Sequence, residues 1–105
     1  MQAKSAYETA ENTDTVMLRA LAHPVRLGIM RRLAVTPETC ACDFTDLFAV
    51  SQPTISQHLK VLRDASLVTT RRRGTQICYS IAAANLARLQ TVLTDLQPPR
   101  LVKTG

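Results

Sequence analysis

The stretch Ser51-Gln52-Pro53-Thr54-Ile55-Ser56-Gln57-His58-Leu59-Lys60-Val61-Leu62-Arg63 decides how the rest of the chain is read. Ser51 is an N-cap residue type, and Pro53 suits the first turn of a helix. Ile55, Leu59 and Leu62 recur at i, i+4 and i+7, the buried stripe of an amphipathic helix. The opposite stripe is Ser56, Gln57, Lys60 and Arg63, and no Asp or Glu occurs from Ser51 to Arg63. Short hydrogen-bonding side chains toward the N-terminal end of such a helix are what reading a DNA major groove requires. Gln57 offers adenine a paired donor and acceptor, and Thr54 and Ser56 reach base edges or phosphates. Ser51, Gln52 and the first-turn amides suit a phosphate, as do Lys60 and Arg63. His58 either contacts DNA or packs between helices. A surface helix that binds nothing is the alternative, and the absence of acidic residues argues against it.

Working outward, the helix ends near Ala65-Ser66. Two β-rich segments follow, Leu67 to Arg71 and Gln76 to Ile81, with Gly74 in the turn between them, which reads as a β-hairpin. Its tip, Arg71-Arg72-Arg73-Gly74-Thr75, suits a wing whose arginines enter a minor groove or neutralise phosphates. A last helix runs from Ala83 to Gln97 and stops at Pro98-Pro99. Its Leu86, Leu89, Leu93 and Leu96 are spaced i, i+3, i+7, i+10. That stripe resembles a seam for pairing with another helix, or else docks on the chain's own core. Upstream, Met17, Leu21, Leu27, Met30 and Leu33 mark a helical region from Thr13 to Ala34, broken at Ala22-His23-Pro24. His23 there fits a cap or packing role. A short helix from Asp43 to Phe48 places Phe44, Leu47 and Phe48 on one face, and Ala49-Val50-Ser51 is the turn. The fold class is therefore mainly α (α+β): a winged helix-turn-helix with a two-stranded β-hairpin wing. Its expected parts are a flexible arm over 1–12, the domain over 13–97 and a tail over 98–105.

Length and charge agree with this layout. The chain has 105 residues, 46% of them apolar, enough for one domain and too apolar for a disordered chain. The net charge is +5, but residues 1–50 hold five basic and six acidic groups whereas residues 51–105 hold eight basic and two acidic. The positive excess thus sits with the reading helix and the hairpin, where a polyanion-binding face needs it. No apolar run approaches the roughly 20 residues of a membrane helix, and no apolar signal core precedes Asp14. The expectation is a cytoplasmic protein with no membrane partner. Three Cys fit free thiols in a reduced compartment rather than a disulfide scaffold.

Cys40-Ala41-Cys42-Asp43 falls at the start of the first helix of the helix-turn-helix. On an α-helix of ~3.6 residues per turn, positions i and i+2 point about 200° apart. Two thiolates so placed clamp one ion only if this turn is non-helical or unwinds. Soft thiolates select thiophilic ions, and a helix N-terminus favours the thiolate form. The alternative is that these are small buried residues, which fits Cys40 best. A redox or persulfide response of Cys40, Cys42 or Cys78 is a further alternative. An enzyme is not expected, because no Cys-x-x-Cys lies on a βαβ unit.

Taken together, these segments resemble the ArsR/SmtB family of metal-responsive repressors. Glu38-Thr39-Cys40-Ala41-Cys42-Asp43-Phe44 is similar to the family's metal-binding box. Leu21-Ala22-His23-Pro24-Val25-Arg26-Leu27-Gly28-Ile29 is similar to its second-helix signature, and the stretch from Ser51 to Arg63 to its recognition helix. Arg73-Gly74 and Cys78-Tyr79 fall where the family's wing has its Gly and Tyr. The resemblance covers residues 15–97. It implies a homodimer, joined by the first and last helices through Met17, Leu21, Leu86, Leu89, Leu93 and Leu96. It further implies binding to double-stranded operator DNA and release on metal or metalloid binding to Cys40 and Cys42. Departures from the family's patterns narrow the inducer. The third Cys common in arsenite sensors is Thr45 here, leaving a third position for a hydroxide, a small thiol or Cys78. Residues 1–39 lack the Cys of cadmium and lead sensors, and residues 83–97 hold only Asp95 and no His. As(III) or Sb(III) is the expected inducer, with Hg(II) or another soft metal as the competitor.

Overall fold

The computed structural model describes residues 12–99. The rest of the expected arm (residues 1–11) and of the tail (residues 100–105) lies outside the described residues. Five helices and three strands follow in the order α1 (Thr13–Leu21), α2 (Pro24–Val35), β1 (Thr39–Cys40), α3 (Ala41–Phe44), α4 (Gln52–Asp64), β2 (Val68–Arg73), β3 (Gln76–Ile81) and α5 (Ala83–Asp95).

Local chemistry sets the helix ends. Asn12 caps α1, its side chain accepting from Thr15 N at 2.9 Å. His23 caps α2 through Nδ1, which accepts from Val25 N at 3.1 Å, and Pro24 fills the first helical turn. The expected break at Ala22-His23-Pro24 thus falls where the cap is. Ser51 Oγ accepts from Thr54 N at 3.4 Å at the start of α4. At its end Ser66 adopts φ 62°, Ser66 N donates to Arg63 O and Leu67 N to Leu62 O. This is a left-handed C-cap with both returning bonds made, and it buries Leu62 against Leu67.

The core gathers one face from each helix. Met17 and Ala20 come from α1, Ile29, Met30 and Leu33 from α2, Phe44 from α3, Ile55, Leu59 and Leu62 from α4, and Leu89 from α5. Each fully buried large side chain contributes roughly 1.5–3 kcal/mol. The α4 stripe expected from the i, i+4, i+7 spacing is therefore the face that seats this helix.

Two features differ from expectation. The expected two-stranded hairpin of β2 and β3 is present, but β1 adds a third strand to its sheet in the order β1-β3-β2, all antiparallel, with Thr39 opposite Tyr79 and Cys40 opposite Cys78. Two residues of strand are too short to show as alternation in sequence. The short helix begins at Ala41 and stops at Phe44 rather than running from Asp43 to Phe48. Thr45 Oγ1 donates to Cys42 O at 2.8 Å, and both Leu47 N and Phe48 N turn back to Phe44 O. A threonine hydroxyl competing for the backbone ends the helix there. Phe48 still packs on the core, but Leu47 is exposed.

Candidate functional site

The face expected to meet DNA is built by α4 and the β2–β3 hairpin. Gln52, Ser56, Gln57, Lys60 and Arg63 are exposed along α4, and Thr54 is half-buried at its start. Ser51 is exposed as well, but its hydroxyl is engaged in the cap and lies 3.1 Å from Thr54 Oγ1. His58 turns inward. Its ring packs on His23, centroids 4.4 Å apart and planes tilted by 45°. Burial, then the neighbouring His23 and Arg26, lowers its pKa from the ordinary 6.5. Of the two roles expected for His58, this contact fits packing: it joins α4 to the cap of α2.

The basic side chains are less free than the sequence implies. Lys60 pairs with Asp64 at 2.7 Å, and Arg63 approaches the same carboxylate at 3.9 Å. The Lys60 hydrogen bond is the first cause that holds the Asp64 carboxyl below its usual value. In the wing, Arg71 and Arg73 both reach Glu38, at 3.3 and 3.0 Å. Arg72 lies between them on the strand, so alternation turns it to the opposite face. Asp64 sits one residue beyond the acid-free stretch, and Glu38 is 33 residues from Arg71, so neither partner is visible in a local reading.

The cysteines are not arranged as the Cys-x-Cys spacing implies. Cys40 and Cys78 face each other across β1 and β3 and are joined in a disulfide, and Cys42 is the free, exposed cysteine. Three free thiols are thus corrected to one thiol and one bonded pair. Cys42 sits inside α3, with Sγ 3.9 Å from Asp43 Oδ1. It lines a cleft of about 390 Å³ with Gln52 and Ser56 of α4 and Thr75, Gln76 and Tyr79 of the wing. Among the described residues no three His, Cys, Asp or Glu side chains form a metal-holding group. Reduced to thiols, Cys40 and Cys78 fit two positions of a thiophilic ion, because sulfurs close enough to bond each other also reach one ion between them. A second cleft of about 370 Å³ opens between α1, α2 and α4, lined by Val16, Arg19, Arg26 and Val61 among others.

The expected partner seam divides in two. Met17 and Leu89 are buried in the chain's own core and leave no surface for a second copy, which corrects their assignment to an interface. Leu21 and Leu86 are half-buried against that core, whereas Leu93 and Leu96 are 53% and 73% exposed. Leu18 on α1 is also exposed, and Arg88 of α5 pairs with Asp14 of α1 at 2.5 Å. No described helix is long and apolar enough to cross a membrane.

Comparison with known proteins places this arrangement. The profile of the arsR family of bacterial regulatory proteins matches residues 23–70, from the α2 cap into β2. An arsenical resistance operon repressor of Bacillus subtilis is 44% identical over 63 residues, 60% of this chain and 60% of that protein. The chain thus spans less than two thirds of that relative's length. A repressor of the same name from Staphylococcus aureus is 39% identical over 82 residues, 78% of this chain and 75% of that protein. The crystal structure of a possible transcriptional regulator for arsenical resistance superposes with a TM-score of 0.72 at 30% identity, covering 79% of this chain and 85% of that one. The similar proteins are named as regulators rather than enzymes. With the helix-turn-helix, the wing and the cysteine box in one frame, the chain belongs to the ArsR family of winged helix-turn-helix regulators.

Proposed function

We propose that this chain is a metalloid-responsive transcriptional repressor. Two copies bind double-stranded operator DNA in the cytoplasm and dissociate from it when As(III) or Sb(III) binds cysteine thiolates. The observation that carries this reading is the opposition of Cys40 and Cys78 in one register row, with Cys42 two residues further on beside α4. Similarity to arsenical resistance repressors supports it. In the reduced protein Cys40 and Cys78 supply two thiolates. A pyramidal As(III) takes a third from Cys42 when the first turn of α3 unwinds, or from a hydroxide or small thiol. Because Cys42 borders the cleft that Gln52 and Ser56 also line, its recruitment acts on the start of α4 and on the wing. Moving a population from 1:99 to 99:1 takes about 5.5 kcal/mol of preference for the released state. Base edges are read by Thr54, Ser56 and Gln57, while Ser51, Gln52, Lys60, Arg63 and the wing arginines take phosphates. Leu93 and Leu96, flanked by Leu21 and Leu86, give the second copy its apolar contact.

The disulfide favours one second reading, in which oxidation of the Cys40–Cys78 pair itself releases DNA. Fluorescence anisotropy of the reduced protein on its operator separates the two. Arsenite, antimonite and Hg(II) are titrated against the parent and against Cys40→Ser, Cys42→Ser and Cys78→Ser. Release by arsenite that needs Cys40 and Cys78 supports the proposal. Indifference to every ion, with release by a hydroperoxide and recovery with dithiothreitol, replaces it with the redox reading.

A further inference from the structure

Glu38 is the acidic residue around which the wing is organised. It stands immediately before β1, two residues ahead of Cys40. Its carboxylate takes Arg71 on both oxygens, Nη2 to Oε1 at 3.3 Å and Nε to Oε2 at 3.3 Å. Arg73 Nη1 donates to Oε1 at 3.0 Å. Glu38 is 27% exposed, whereas Arg71 and Arg73 are 67% and 60% exposed, so the acid is sheltered and the arginines are on the outside.

The register explains why these groups share a face. Arg71 is opposite Cys78, and Cys78 is opposite Cys40, so the three residues form one row across the sheet. Directly opposed residues of antiparallel strands point to the same side, and residues two apart on one strand do as well. Arg71, Arg73 and the sulfur pair therefore lie on one face of the wing, and Arg72 lies on the other.

We propose that Glu38 is a positioning residue that holds Arg71 and Arg73 in reserve and competes with DNA phosphates for them. This rests on the reading of the wing as a DNA-contacting element. An arginine shared with a sheltered carboxylate carries little net charge toward DNA. It counts as a phosphate contact only when it leaves Glu38. Because Glu38 and Cys40 belong to one short segment, any ligand that shifts β1 also shifts the carboxylate. The grip on Arg71 and Arg73 is thereby tied to the state of the cysteines, and the wing becomes an output of the thiol site alongside α4.

The test is the salt dependence of binding to a fluorescein-labelled 30-base-pair duplex of arbitrary sequence, measured for the reduced protein from 50 to 200 mM salt. Non-specific binding is set by phosphate neutralisation, so the operator sequence is not needed. Glu38→Gln keeps the shape of the side chain and removes its charge. If it releases one or two arginines in each of two protomers, the slope of log K against log salt steepens by about 1.8 to 3.6. The fourfold salt step then weakens the variant about 12- to 150-fold more than the parent. Its affinity at 50 mM salt rises above the parent's. Glu38→Asp keeps the charge and is expected to retain the parent slope. Adding Arg71→Gln and Arg73→Gln to Glu38→Gln removes the gain. A merely structural role lowers affinity at every salt and leaves the slope alone, which overturns the proposal. An unchanged slope with unchanged affinity overturns it too. If the parent shows no salt-dependent binding to any duplex, the DNA-binding reading fails with it, so the two failures are distinguishable.

Discussion

Gly28 has no side chain, and the structure gives a reason. A Cβ built at this position meets the Phe48 ring at 2.6 Å from Cε1 and 2.9 Å from Cζ. Carbon contacts are comfortable at about 3.5–4.0 Å, so Gly28→Ala forces the ring to move by about 1 Å. The backbone around Phe48 resists such a move, since Phe48 N donates to Phe44 O at 3.1 Å and Val50 N to Phe48 O at 2.7 Å. These bonds shape the turn that leads into α4. Two terms of opposite sign decide the outcome. Alanine gains about 1 kcal/mol over glycine inside a helix. Overpacking costs about 1–3 kcal/mol. The expected net effect is a loss of about 0–2 kcal/mol, and each 1 kcal/mol lowers Tm by about 4–8 °C in a domain of this size. Thermal unfolding followed by circular dichroism measures this, and Phe48→Leu completes a double-mutant cycle. The clash predicts that Gly28→Ala is destabilising in the parent, stabilising in the Phe48→Leu background, and coupled to Phe48 by more than about 0.5 kcal/mol. Equal stabilisation in both backgrounds would refute the reasoning, because it means the ring swings away without cost and the turn does not lean on α2.

Three other outcomes follow from local geometry. Ser66→Gly is expected to stabilise the chain by roughly 0.5–1 kcal/mol, since φ 62° suits glycine and both capping bonds use only backbone atoms; a lower urea midpoint would contradict it. Ser51→Ala removes the hydroxyl that accepts from Thr54 N and should cost about 0.5–2 kcal/mol, read from the same denaturation curves. His58, with its pKa below 6.5 in the fold, leaves the unfolded chain binding more protons as pH drops through 6.5. Stability is therefore present above that pH and declines below it until the folded pKa is passed. His58→Gln should flatten this part of the pH profile between pH 7.5 and 5.5, and an unchanged slope would point to other groups.

Much of the fold is legible in sequence because its signals are local. The α4 stripe of Ile55, Leu59 and Leu62, the Ser51 cap and the His23-Pro24 start of α2 each rest on residues within one or two turns of each other. The hairpin is legible for the same reason, with Gly74 at φ 62° in its turn. What stays hidden depends on pairing between distant segments. β1 has only two residues, and its existence is a property of β3 as much as of Thr39 and Cys40. Once β1 joins the sheet, Cys40 is committed to Cys78, and the local Cys-x-Cys spacing no longer determines which sulfurs meet. The packing of His58 on His23 likewise joins residues 35 apart in sequence. The α5 stripe is ambiguous on spacing alone, and burial splits it between Leu89 inside and Leu93 and Leu96 outside.

In the proposed function, the position of the sulfur pair sets the leverage of the switch. Two thiols confined to a helical turn act on whatever that turn touches, chiefly α4 through the residues between Thr45 and Ser51. A pair that bridges β1 and β3 instead acts on a sheet, where the hydrogen-bonded register transmits a shift of one strand to its neighbours. β3 is the central strand, bonded to β1 on one side and to β2 on the other, and β2 carries all three wing arginines. Cys42 remains on the α-helical side, in the cleft shared with Gln52, Ser56 and the wing residues Thr75 and Gln76. In the proposed function, closing three sulfurs on one ion therefore draws together the two structures that each carry half of the proposed DNA-facing surface. Neither α4 nor the wing has to unfold for affinity to fall, because a groove-reading helix and a wing contact the same duplex only at a fixed separation. On the proposed function, Cys78→Ala removes one thiolate of the pair as well as its tie between β1 and β3, so it is expected to lose release by arsenite while leaving the α4 surface in place.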